Sequence, residues 1–225
     1  MRLGVVLAGG DATRLPNKAL LPLHNGLPMI TSAIELCVRN SCTGAPLIIV
    51  RPDSLVLSIL HTWQYNVRYR EQEEPRGLID AIQIATKIQR PGGKSYMFRE
   101  GDEEFLITFC DNYYDRNELI PMTAKPPCVA VRDVKKGHGK DLGTYRGKTI
   151  AGWLLLDCAS LQIVADCCPQ MKLEDWLEVM NAQPIEMPSS LEWWDLGTKE
   201  TYKNYWEDAG PSQVRDSREG RISSE

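Results

Sequence analysis

The sequence predicts an α/β protein in which helices cover both faces of a mostly parallel sheet. Three short apolar runs, Leu3–Ala8, Leu47–Val50 and Phe105–Phe109, have the length and continuous apolar character of buried strands. Between them, Pro28–Arg39 and Gly77–Gln89 carry apolar residues at the 3-4 spacing of amphipathic helices. Alternation of buried strands with such helices is typical of parallel sheets, because a parallel pair needs a crossover connection.

The other elements follow from caps, breakers and weaker periodicities. A helix is expected to begin at an Asp53 or Ser54 cap and to continue through Trp63. Proline and glycine predict a loop over Arg90–Asp102. The remaining expected elements are strands at Val67–Glu71, Val129–Arg132, Gly152–Leu156 and Ile185–Met187, a helix over Leu173–Asn181, a turn-like segment at Glu192–Thr198 and a last helix ending near Trp206.

Length and composition are those of one domain with a substantial core. The chain has 225 residues, of which 43% are hydrophobic. We therefore expect a single domain over residues 1–206, followed by a polar tail over 207–225 that lacks an apolar pattern and is expected to be flexible. The net charge of -4 argues against nucleic acid as a partner.

The same composition bears on compartment and association. No apolar run approaches the roughly 20 residues that span a bilayer, and a strand starts at the N-terminus without room for a signal peptide. We expect a cytoplasmic protein with no membrane partner. Seven cysteines without a CxxC pair indicate neither a disulfide framework nor a zinc site. Six tryptophans suit either the core or a homo-oligomeric interface.

The most informative stretch is Leu7–Lys18, which reads L-A-G-G-D-A-T-R-L-P-N-K. It follows the first predicted strand, so Gly9 and Gly10 form the turn at its carboxyl end. Glycine allows a backbone to approach a ligand closely. Turn N–H groups, together with the cations Arg14 and Lys18, would supply positive charge. The stretch therefore predicts a phosphate-binding turn.

Acidic residues follow two other segments of the predicted sheet. Asp111 and Asn112 come directly after Phe105–Phe109, and Asp195 lies near the end of the domain. Ligands of open α/β sheets bind at the carboxyl ends of strands. Mg²⁺ prefers one or two carboxylates, with phosphate and water completing its coordination. Each feature alone also fits an ordinary turn or helix cap; together they predict a site for a nucleotide and Mg²⁺.

These motifs, in this order, resemble the sugar-1-phosphate nucleotidyltransferase family. Leu7–Leu15 is similar to the family signature L-A-G-G-x-G-T-R-L, and Lys18 with Leu20–Leu23 is similar to its P-K-x-L-L-P-L continuation. The resemblance spans about residues 3–206, and the type it resembles is the glucose-1-phosphate thymidylyltransferases. The later matching segments are Gln72–Ala81 (Q-E-E-P-R-G-L-I-D-A), Cys110–Asn112 (C-D-N), Ala151–Asp157 (A-G-W-L-L-L-D) and Trp194–Thr198 (W-D-L-G-T).

The resemblance implies a Rossmann-like nucleotidyltransferase sheet of GT-A type, with a nucleotide-binding part over 1–115 and a sugar-phosphate-binding part over 116–206. It implies an enzyme that joins an NTP (dTTP, UTP or CTP) to a sugar 1-phosphate with Mg²⁺. The implied roles are catalysis for Arg14 and Lys18, nucleotide binding for Leu7, Ala8, Gly9, Gly10, Thr13, Gln72, Gly77 and Asp111, sugar-phosphate binding for Asn112 and Gly152, and metal binding for Asp111 and Asp195.

The sequence departs from the family pattern in ways that leave alternatives open. Ala12 replaces a glycine, and the gap from Arg14 to Lys18 is short, as in cytidylyltransferases. The E-K-P segment, whose lysine grips the sugar phosphate, has no clear match; Lys140 and Lys148 are candidates for its role. The alternatives are a cytidylyltransferase for a non-sugar phosphate such as phosphocholine, and an inactive nucleotide-sugar-binding module. A nucleotide-sugar-using glycosyltransferase ranks lower because D-x-D is missing.

Overall fold

The structure is a computed structural model. It describes residues 2–10, 15–40, 42, 44–74, 76–86, 88–89, 95–96, 104–115, 120–121, 123–133, 143–166 and 170–208. In chain order its elements are β1 (Arg2–Leu7), a 3-10 turn (Lys18–Leu20), α1 (Ile30–Arg39), β2 (Leu47–Val50), α2 (Val56–Thr62), β3 (Arg68–Glu71), α3 (Leu78–Thr86), β4 (Ile88–Gln89), β5 (Ser95–Tyr96), β6 (Glu104–Phe109), β7 (Asn112–Tyr114), β8 (Cys128–Arg132), β9 (Thr144–Tyr145), β10 (Lys148–Asp157), α4 (Cys158–Asp166), α5 (Leu173–Val179), β11 (Gln183–Glu186), β12 (Trp193–Asp195) and α6 (Lys199–Asp208).

The main sheet is mixed and mostly parallel, as the sequence predicts. Within the described residues it has eight strands, in the order β11-β8-β10-β6-β1-β2-β3 with β9 beside β10. The pairs β1–β2, β1–β6, β2–β3 and β8–β11 are parallel. The long strand β10 lies between β6 and β8 and is antiparallel to both, so it joins the two halves of the sheet.

Alternate residues of β1 pack into two separate apolar layers, one on each face of the sheet. Val5 and Leu7 pack with α3 and α5 on one face, whereas Val6 packs with α1 and α2 on the other. This alternation follows from the two-residue period of a strand. Because both layers are fully apolar, the central strands read as continuous apolar runs, and the prediction of a sheet covered on both faces is confirmed.

The register of the central strands sets the position of the candidate site. Leu7 at the end of β1 pairs with Ile49 of β2 on one side and with Phe109 of β6 on the other. Ala8 then donates its N–H to the Ile49 carbonyl at 2.7 Å, and Cys110 donates to the Leu7 carbonyl at 3.1 Å. The chain segments that follow β1, β2 and β6 therefore leave the sheet along one edge.

Several predicted elements were wrong in type or extent. The helix expected over Gly77–Gln89 ends at Thr86, and Ile88–Gln89 instead pairs with Ser95–Tyr96, inside the segment expected to be a loop. Apolar residues at these positions fit either period over so short a length. The Glu192–Thr198 segment contains a strand, β12, paired with β7. Neither β7 nor α4 was predicted.

The positions of the tryptophans and of the last helix can also be compared with those predicted from the sequence. Trp153, Trp176, Trp193 and Trp194 are buried, so these four belong to the core. The helix expected to continue through Trp63 ends at Thr62, and Trp63, which follows it, is 48% exposed. Helix α6 continues to Asp208, and the remaining tail lies outside the described residues. In the parts of the chain that the structure describes, no helix is long and apolar enough to cross a bilayer.

Candidate active site

A cavity of about 850 Å³ lies at the carboxyl edge of β1, β2 and β6. One wall is formed by the turn after β1, from Leu7 to Gly10, and by Asn17–Leu20. Gln170–Glu174, at the start of α5, form another part of the lining. The ends of β2 and β6 and the beginning of α3 also line the cavity. Segments from both halves of the domain therefore surround one space large enough for a nucleotide.

The turn after β1 presents its backbone to this cavity. Leu7, Ala8, Gly9 and Gly10 all line it, as the resemblance implies for a nucleotide-binding turn. The predicted residues Thr13 and Arg14 lie outside the described residues. A left-handed residue, Asn17, with φ 52°, then turns the chain so that Lys18 comes back into the cavity.

Lys18, Asp111 and Asp195 form the charged centre of the cavity. The Lys18 ammonium donates to Asp111 Oδ2, and the two side chains are only 16% and 15% exposed. Burial by itself lowers the pKa of Lys18, but the nearby carboxylates of Asp111 and Asp195 outweigh it, and the pKa is raised. Lys18 is therefore a permanent cation at neutral pH.

Pairing of β7 with β12 brings the two carboxylates together. Asp195 lies opposite Asn112 in this pairing, and the N–H of Leu196 donates to the Asp111 carbonyl at 2.8 Å. Asp195 is 2% exposed, and its Oδ1 accepts a bond from the Gly197 N–H at 3.0 Å. Sequence positions more than eighty residues apart thus meet at the site through one short strand pair.

The pair of carboxylates fits a magnesium ion. Mg²⁺ is commonly held by one or two carboxylates, with phosphate oxygens and water as its other ligands. Asp111 and Asp195 would supply that donor set beside the phosphate-binding turn. Among the described residues no group of three or more acidic, histidine or cysteine side chains is placed to hold a metal without a substrate.

Gln72 lines the cavity on the side of α3, close to the turn after β1. It is 2% exposed, and a methyl group built at Gly9 would lie 2.6 Å from its Oε1. Gly77, predicted to lie against a base, also lines the cavity. A side chain at position 9 would therefore have to displace the Gln72 amide from this position.

Asn112 and Gly152 lie beneath the charged centre and outside the cavity lining. Asn112 is fully buried; its Nδ2 donates to Asp111 Oδ1 at 3.2 Å, and its Oδ1 accepts from Trp193 Nε1 at 2.9 Å. The Gly152 carbonyl accepts a bond from Tyr114. In this structure Asn112 supports Asp111 directly, Gly152 binds Tyr114, and their predicted contact with a sugar phosphate stays a prediction.

Two cations on the cavity wall were not singled out in the sequence. Lys172 precedes α5 and Arg51 follows β2. No motif marks either residue, because each enters the site through a loop whose position depends on the tertiary fold. Of the lysines considered for the E-K-P role, Lys148 binds Glu186 at 2.7 Å and does not line the cavity, and Lys140 lies outside the described residues.

Cys110 is the one residue of the β6 end that resembles a nucleophile. Burial and the neighbouring Asp111 raise the pKa of its thiol to about 12. The thiol is therefore neutral at physiological pH, and a neutral thiol is a poor nucleophile. The geometry favours chemistry by charge and positioning over a covalent cysteine intermediate.

The fold and this cavity define the class of a nucleotidyltransferase. The chain belongs to the MobA-like NTP transferase domain family, which it matches over residues 4–140. It is therefore a nucleotidyltransferase enzyme, and the predicted nucleotidyltransferase resemblance is confirmed. Among curated proteins no match is found.

Solved structures confirm the predicted Rossmann-like fold. A protein named as a glucose-1-phosphate thymidylyltransferase from Bacillus anthracis, solved in complex with a sucrose, has a TM-score of 0.69 and 17% identity, covering 100% of this chain and 98% of that chain. A UDP-glucose pyrophosphorylase from Acinetobacter baumanii has a TM-score of 0.67 and 12% identity, covering 96% and 95%. At these identities the likeness concerns the fold.

Proposed function

We propose that this nucleotidyltransferase condenses an NTP with a sugar 1-phosphate to give an NDP-sugar and pyrophosphate. The observation that carries the proposal is the meeting of Lys18, Asp111 and Asp195 beside the Gly9–Gly10 turn. A phosphate-binding turn, a fixed cation and two carboxylates are what phosphoryl-type transfer needs, because the reaction depends on positioning and charge neutralisation. The sugar-phosphate half of the proposal is supported by the motif resemblance and by the two structural relatives.

In the proposed reaction an oxygen of the sugar phosphate attacks the α-phosphorus of the NTP in line. A new phosphorus–oxygen bond forms as the bond from the α-phosphorus to the bridging oxygen breaks, and pyrophosphate leaves. Lys18 stabilises the negative charge that builds on the α-phosphate, and the turn N–H groups hold the triphosphate. Asp111 and Asp195 would hold Mg²⁺, which when bound neutralises phosphate charge.

The wall formed by Gln170–Glu174 is the proposed seat of the sugar phosphate. It lines the same cavity as the Gly9–Gly10 turn, so a substrate bound there would share one space with the triphosphate. Among the described cations of the lining, Lys18 is paired with Asp111 and Arg51 lies 3.3 Å from Asp53. Lys172 has no such carboxylate partner among the residues that the structure describes, and we propose its ammonium as the group that binds the phosphate.

Replacing Lys172 with Gln is expected to raise the KM for the sugar phosphate by about tenfold, because one charge-assisted contact to phosphate is lost. The KM for the NTP should change little, since the triphosphate is proposed to bind at the Gly9–Gly10 turn. Lys203→Gln is the matched control, because Lys203 is 74% exposed on α6 and pairs with Glu207. Equal effects on both KM values would contradict the assignment of Lys172.

The proposed reaction is tested by a substrate matrix followed through pyrophosphate release. Purified protein would be incubated with Mg²⁺, each of the common NTPs and dTTP, and a set of sugar 1-phosphates. Turnover with at least one pair is the expected result. Phosphocholine with CTP forms the arm that would support the cytidylyltransferase alternative. Nucleotide binding without turnover across the whole matrix would favour the inactive binding module.

A further inference from the structure

The amide of Gln72 is held between two hydrogen-bond acceptors. Its Nε2 donates to Asp80 Oδ2 at 2.7 Å and to the Gly77 carbonyl at 3.4 Å. An ionised carboxylate and a carbonyl can only accept hydrogen bonds. The NH₂ group must therefore face Asp80 and Gly77, because the opposite orientation would set oxygen against oxygen at both positions.

This arrangement decides which atom of Gln72 is left for a ligand. Both amide hydrogens are directed into the protein, so Oε1 is the polar atom on the side of Gly9. Asp80 itself does not line the cavity, whereas Gln72 does. Asp80 therefore makes no contact with the cavity, and its hydrogen bond to Gln72 is its link to a bound nucleotide.

We infer that Asp80 is a positioning residue that makes Gln72 a hydrogen-bond acceptor, and that the site selects a nucleobase with an imino N–H. This inference rests on the proposed function, since it assigns the base of the NTP to the cavity. Uracil, thymine and guanine carry a ring N–H on the edge used for base pairing. Cytosine and adenine carry a lone pair at the corresponding ring nitrogen, which would face Oε1 without a proton between them.

The test is direct calorimetric binding of UTP, dTTP, GTP, CTP and ATP to the full chain with Mg²⁺. Two methylated probes, 3-methyl-UTP and 1-methyl-GTP, lack the imino hydrogen of uracil and guanine. They show whether the site binds the imino hydrogen of uracil or that of guanine. The wild-type protein is expected to bind at least one imino nucleotide about tenfold to a hundredfold more tightly than CTP and ATP. The matching methylated probe should lose that advantage.

Asp80→Asn changes the partner of Gln72 while keeping its size. An Asn side chain can donate to Oε1, so the Gln72 amide becomes free to turn and offer its NH₂ to the base. The ratio of affinities for imino nucleotides over CTP should then fall about tenfold. Asp80→Glu keeps a carboxylate and should retain most of the wild-type preference. Glu74→Gln is the matched control, since Glu74 is 70% exposed and binds Arg76 instead of Gln72.

Each outcome separates this inference from the proposed function. Tightest binding of CTP or ATP by the wild-type protein, or an unchanged ratio in a folded Asp80→Asn variant, would overturn the inference and leave the proposed reaction standing. An imino preference without turnover in the substrate matrix would support the inference and contradict the proposed reaction. Absence of binding to every nucleotide would overturn both. Thermal unfolding of each variant establishes that it is folded.

Discussion

Replacing Asp111 with Asn is expected to reduce kcat by about a hundredfold or more, the usual effect of removing one preorganised electrostatic group from a reacting centre. The variant would lose one of two carboxylates proposed to hold Mg²⁺ and the partner of Lys18. Pyrophosphate release at saturating substrates would measure kcat, and titration with Mn²⁺ in the presence of nucleotide would measure metal affinity. Both should fall, and the thermal unfolding midpoint establishes that the variant is folded.

Lys18→Gln is the comparison that separates the metal site from the ion pair. Both substitutions break the same contact between Lys18 and Asp111, but only Asp111→Asn removes a proposed metal ligand. Lys18→Gln should therefore lower kcat while Mn²⁺ affinity is retained. Asp133→Asn, a change of the same chemistry at a residue 91% exposed, serves as the surface control. Normal turnover by a folded Asp111→Asn protein would remove Asp111 from the proposed mechanism.

Gly152→Ala is expected to lower the free energy of unfolding by about 3 kcal/mol, through backbone strain and overpacking together. Gly152 has φ +84°, which side chains of L residues rarely adopt. A methyl group there would lie 2.4 Å from Asn112 Oδ1, 2.8 Å from Trp193 Nε1 and 2.9 Å from Tyr114 Oη. Because these atoms belong to the β7–β12 pair, the change would also move the support of Asp111. Chemical denaturation would measure the loss.

Gly147→Ala isolates the contribution of backbone strain. Gly147 has φ +78°, nearly the same conformation, but no atom of the described residues lies within 4 Å of a methyl group built on it. Its substitution should cost only about 1–2 kcal/mol. Equal losses in the two variants would show that crowding at Gly152 is relieved cheaply. Equal losses would also favour a direct role for Gly152 in binding the sugar phosphate.

The sheet was predictable where local pattern and tertiary environment agree. Leu47–Val50 is apolar at every position and is a strand with those bounds, because a central parallel strand is buried on both faces. The same reasoning failed at Trp193–Asp195. A three-residue strand has no readable period, and this one exists through its pairing with Asn112–Tyr114, about eighty residues earlier in the chain.

The site shows the same division between local signal and tertiary placement. The motifs identified Gly9, Lys18, Gln72, Asp111 and Asp195 before any geometry was known, and the structure places all of them on one cavity. The role that the resemblance implies for each residue is tested by the experiments above. Lys172 and Asp80 could not be found in this way. Charged residues are frequent on helix surfaces, and nothing in their spacing tells a cavity wall from solvent.

The sequence by itself determined the class of fold, the strands that end at the site and the motifs from which a nucleotidyltransferase could be inferred. These depend on burial patterns and short spacings, which are properties of local segments. Only the tertiary structure decided that Lys172 lines the cavity, and that the Gln72 amide donates to Asp80. Such facts depend on distances between segments that are far apart in the chain, and those distances exist only once strands and helices are packed.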